Sequence, residues 1–116
     1  MAYEMTYQHI RNMVEKESGF DDLSIHDTTD EISQIRLTYY KLCTMFMNDW
    51  SYNEIRETLN RRCVSTIGVG VKKFEYLKEQ GELLRPEVYE TCYKALKTLY
   101  KQEYNIKNLE VEYESV

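Results

Sequence analysis

The chain has 116 residues, a net charge of −5 and three cysteines, Cys43, Cys63 and Cys92, set far apart and outside any Cys-x-x-Cys or Cys/His cluster. Those numbers predict a single domain with reduced thiols, in which roughly two-thirds of the unfolded surface is buried without disulfide or metal staples. No segment approaches membrane-spanning length, and Met1-Ala2-Tyr3-Glu4 has no positive region followed by an apolar run, so the expectation is a soluble, cytoplasmic protein.

In chain order the pattern is helical throughout. Tyr3, Tyr7, Ile10 and Val14 recur along one face of a first helix, which Gly19 and Phe20 close. A loop from Asp21 to Asp27 follows. Thr28 with Glu31 reads as a capping box for a second helix, whose Ile32, Ile35, Tyr39, Leu42, Cys43 and Phe46 form the strongest apolar stripe in the chain. This is the expected central helix.

Ser51 with Glu54 forms another capping box and opens a short helix with Tyr52, Ile55 and Leu59 on one face. Asn60-Arg61-Arg62 breaks it. The next helix places Ile67, Val71 and Phe74 on its inner side, leaving Arg62, Ser65, Val69, Lys72 and Tyr76 outward. Cations, a hydroxyl and a small apolar group are what meet phosphates and base edges in a major groove. Together these segments read as a helix-turn-helix. Gly81 stops the second of them, and Pro86 begins a last helix bearing Val88, Tyr89, Cys92, Leu96 and Leu99. Residues 1–104 are therefore expected to form one all-α bundle of about five helices. Residues 105–116 read as an acidic, flexible tail, a short strand over Leu109 to Tyr113 being the alternative.

Charge is unevenly spread, at −5 over residues 1–50, +2 over 51–80 and −2 over 81–116. Only the helix-turn-helix segment is positive. Gly68 and Gly70 each cost about 1 kcal/mol inside a helix, so close packing is expected at Gly70 and either a close neighbour or a weakened helix at Gly68. The run Gly68 to Lys73 lacks the Gly-Lys-Ser/Thr of a phosphate loop. Most of the eleven tyrosines fall on core stripes, Tyr76 being the outward exception, while Tyr93, Tyr100 and Tyr104 offer a surface for pairing. No nucleophile-base-acid set, metal-ligand spacing or cofactor motif is visible, so no enzyme, no cofactor and no small-molecule substrate are expected.

From about Met5 to Tyr100 the chain resembles the C-terminal DNA-binding domain (domain IV) of the DnaA family of replication initiators, in the Trp-repressor-like helix-turn-helix group. Gly19-Phe20-Asp21-Asp22-Leu23, Arg36 with Leu42, Ser51-Tyr52-Asn53-Glu54-Ile55, Arg62-Cys63-Val64-Ser65-Thr66-Ile67 and Lys72-Lys73 carry the resemblance in order. It implies phosphate contacts by Arg36, Arg61, Arg62, Lys72 and Lys73, with Ser65 and Thr66 at or near the bases. Two departures narrow that implication. Cys63-Val64 stands where the family reads bases with Asp-His, and valine has no hydrogen-bonding group. The loop that the family sends into the minor groove is acidic here, from Ile25 to Glu31. The family's nucleotide-hydrolysing domain is absent from this sequence. Two functions follow: a small protein that binds double-stranded DNA, a regulator or replication accessory of phage or mobile-element type, or a non-enzymatic interaction module that binds a protein partner or a second copy. Neither involves a membrane.

Overall fold

The computed structural model describes residues 5–25, 29–47, 50–59 and 64–103, with backbone alone for 64–66 and 100–103. Five helices are present, α1 (Tyr7–Ser18), α2 (Asp30–Phe46), α3 (Tyr52–Thr58), α4 (Val64–Gln80) and α5 (Pro86–Glu103), and no strand occurs among the described residues. The expected all-α architecture is what forms. The tail reading over residues 105–116 lies outside the described residues.

Local signals set most of the helix ends. Thr6 Oγ1 accepts the His9 N–H at 3.0 Å, so α1 begins at Tyr7 and Tyr3 falls outside the described residues. Gly19 closes α1 at φ 84°, its N–H reaching Glu15 O, a backbone shape that suits glycine. Gly81, at φ 70°, completes a two-bond cap on α4. Its own N–H donates to Lys78 O, and the Glu82 N–H donates to Leu77 O at 2.8 Å. Pro86 is the first residue of α5.

The expected Thr28–Glu31 capping box at the start of α2 includes Thr28, which lies outside the described residues. Helix begins at Asp30 with Thr29 as N-cap and no side-chain cap bond. Glu31 accepts from Arg85 Nη1 at 2.8 Å. This ion pair ties the start of α2 to the α4–α5 connection.

The core forms around α2, which packs against α1, α4 and α5. Its entire expected stripe, Ile32 to Phe46, is buried together with Ile10, Val14, Ile55, Leu59, Ile67, Phe74, Val88, Cys92 and Leu96. Tyr93 corrects the sequence reading. It is 4% exposed and stacked edge-on against Phe46 with ring centroids 5.7 Å apart, so it belongs to the core rather than to a pairing surface. Side chains of Tyr100 and Tyr104 lie outside the described residues. No helix among the described residues is long and apolar enough to cross a membrane.

Candidate nucleic-acid interface

α3 is fixed from three directions. Ser51 Oγ accepts the Glu54 N–H at 3.1 Å and donates to the Glu54 carboxylate, the expected capping box. The Ser51 N–H donates to the Tyr7 hydroxyl of α1, and at the other end Thr58 Oγ1 meets the Tyr39 hydroxyl of α2 at 2.5 Å. Arg11 ties the same end down, donating to Thr58 O while also binding Glu15 and Asp22. Bonds from Ser24 and the Arg11 charge hold the Asp22 carboxyl below its usual range. With α3 held, α4 is braced on one side by α3 and on another by α2.

The inner face of α4 is closed. Ile67 and Phe74 are fully buried, Gly70 is buried and Val71 is half-buried against the core. A Cβ at Gly70 would stand 2.8 Å from Leu37 Cδ2 and 3.3 Å from Tyr40 Cδ2, so the glycine allows α4 to lie close on α2, as the sequence suggested. Gly68 faces the Tyr52 ring, 3.5 Å from where its Cβ would be, which is ordinary contact distance. Phe74 in turn packs on Tyr89 of α5, whose ring also receives the Lys78 ammonium at 5.7 Å.

On the opposite face, Val69 is 66% and Tyr76 58% exposed, and Lys72 and Lys73 are exposed beside them. Neither lysine has an ion-pair partner among the described residues. A helix turns about 100° per residue, which sets Lys72 roughly 60° to one side of Val69 and Lys73 roughly 40° to the other, with Tyr76 nearly in line two turns on. Beside this row a groove of about 390 Å³ runs between α2 and α4, lined by Asp30, Gln34, Leu37, Val69, Gly70 and Lys73 among others.

Arg36 is not part of this surface. It is 4% exposed, its Nε donating to Leu23 O at 2.7 Å and its Nη2 to Ile25 O at 2.5 Å. The expected phosphate contact is thus a buried clamp on the loop that leads into α2. A signal for this was present, because Arg36 lies one residue after Ile35 and four after Ile32, on the apolar stripe itself. The remaining expected contacts are Arg61, Arg62 and the side chains of Ser65 and Thr66. They lie outside the described residues, as do Cys63 and residues 26–28 of the acidic loop. Ile25, at the start of that loop, is 43% exposed.

The buried thiols are chemically quiet. Burial raises Cys43 far above the usual thiol range and pushes Cys92 up to about 12, so neither is a thiolate near neutral pH. Among the described residues no three His, Cys, Asp or Glu side chains gather as metal ligands. No protein-family profile, curated protein or solved structure matches the chain.

Proposed function

We propose that this chain is a small, non-enzymatic DNA-binding protein in which α3 and α4 act as a helix-turn-helix and the outward face of α4 enters the major groove of duplex DNA. One observation carries the reading. Val69, Lys72, Lys73 and Tyr76 are all exposed along one side of a helix whose other side is closed by Ile67, Gly70 and Phe74. Two ammonium groups left to solvent on that side are available to neutralise phosphates. The resemblance to domain IV of the DnaA family supports the same face. The role that fits is a regulator or replication accessory.

Random-sequence duplex, titrated by fluorescence anisotropy at low and moderate salt, tests it. Binding is expected to weaken steeply with salt, and Lys72→Ala/Lys73→Ala is expected to lower affinity and flatten the salt dependence by roughly one unit of slope per lysine. A protein-interaction module is the competing reading, and the net charge of −5 favours it. Absence of salt-sensitive binding, or binding indifferent to the two substitutions, removes the DNA reading in favour of that module.

A further inference from the structure

Gly68-Val69-Gly70 sets three poor helix formers side by side in the first half of α4. The glycines have neighbours that account for them, Tyr52 at Gly68 and the Leu37–Tyr40 pair at Gly70. Val69 does not. At 66% it is the most exposed large apolar side chain among the described residues, above Tyr76, Leu84 and Ile25. It stands at the edge of the α2–α4 groove with most of its surface in solvent, Lys72 roughly 60° to one side of it around the helix and Lys73 roughly 40° to the other.

That arrangement matches a groove whose walls are phosphate and whose floor is apolar in places. Lysine stems reach the walls, and a short branched side chain between them reaches only the floor. Valine neither donates nor accepts a hydrogen bond, so the base group it recognises is the one apolar group displayed in the major groove, the 5-methyl of thymine. Resting on the DNA-binding reading above, we infer that Val69 is a specificity-determining residue that contacts thymine methyl groups and biases binding towards A·T-containing sites.

The experiment compares random-sequence duplex pools made with thymidine or with deoxyuridine, which differ only in that methyl, against wild type, Val69→Ala and Val69→Thr. Wild type is expected to prefer the thymidine pool by about fourfold for each methyl buried. Val69→Ala is expected to bind both pools equally with its salt dependence intact, and Val69→Thr, which keeps one methyl, to fall between. Circular dichroism confirms that the variants remain folded. Equal wild-type binding to the two pools, with salt sensitivity and dependence on Lys72 and Lys73 retained, overturns the methyl contact while leaving DNA binding standing. A thymidine preference that survives in Val69→Ala moves the contact to another residue and also overturns it. No salt-sensitive binding to either pool removes both readings together.

Discussion

α2 and α4 are each 17 residues long and lie against one another, yet they dispose of their cations in opposite ways. On α2, Arg36 is buried on loop carbonyls, and Lys41, its side chain only 12% exposed, pairs with Glu75 of α4 at 2.8 Å. On α4, Lys72 and Lys73 stand in solvent with no ion-pair partner among the described residues. The difference follows from what covers each cation: Arg36 is buried under the loop before α2, Lys41 lies where α4 crosses α2, and Lys72 and Lys73 are left exposed. A covered cation must be satisfied internally, because an unpaired buried charge is costly. One left uncovered keeps its charge for something outside the molecule.

The sharpest way to break this comparison is Arg36→Ala. Leu23 O and Ile25 O would lose charged donors in a buried setting, and a loss of about 3 kcal/mol is expected in urea denaturation. A loss below about 1 kcal/mol, coupled to weakened duplex binding, would return Arg36 to the phosphate-contact role.

Gly70→Ala comes next. Its methyl would meet Leu37 and the buried Tyr40 ring, so overpacking of about 1–3 kcal/mol is set against a helix-propensity gain of about 1 kcal/mol, and a net fall in thermal stability is expected. An unchanged melting temperature would mean that Leu37 turns aside freely. Gly68→Ala has the opposite sign. With only the Tyr52 ring at ordinary contact distance, it is expected to stabilise by about 0.5–1 kcal/mol, and a destabilised variant would show that the Tyr52 seat is tighter than it looks. Smallest is the effect of Lys72→Ala/Lys73→Ala on folding, expected within about 0.5 kcal/mol in the same denaturation assay. A larger loss would place these lysines among the residues that hold the fold, alongside Arg36.

What the sequence disclosed tracks the range of the interaction. Gly19, Gly81, Pro86 and the Ser51–Glu54 box act within one turn of chain, and each does what its residue type predicts. The apolar stripes of α2, α4 and α5 were legible because helical period alone selects them. Arg36 was misassigned because its partners are distant, 11 to 13 residues upstream. Tyr93 was misassigned for a related reason, since its ring is claimed by Phe46 from another helix. Of the candidate site, Val69, Lys72 and Tyr76 were placed outward by spacing from Ile67 and Phe74, Lys73 entered through the family resemblance, and all four are exposed. Whether they meet DNA depends on a partner that periodicity does not encode.

The glycine at position 70 works like the notch in a key. If α4 slid one turn along α2, Thr66 or Phe74 would arrive where Leu37 and Tyr40 leave no room for a Cβ, so only one longitudinal setting closes. Choosing that setting also chooses how far along the molecule the outward row stands. The placement of the row from Val69 to Tyr76 is therefore dictated from behind, and a change at this buried glycine would shift where the molecule presents those side chains.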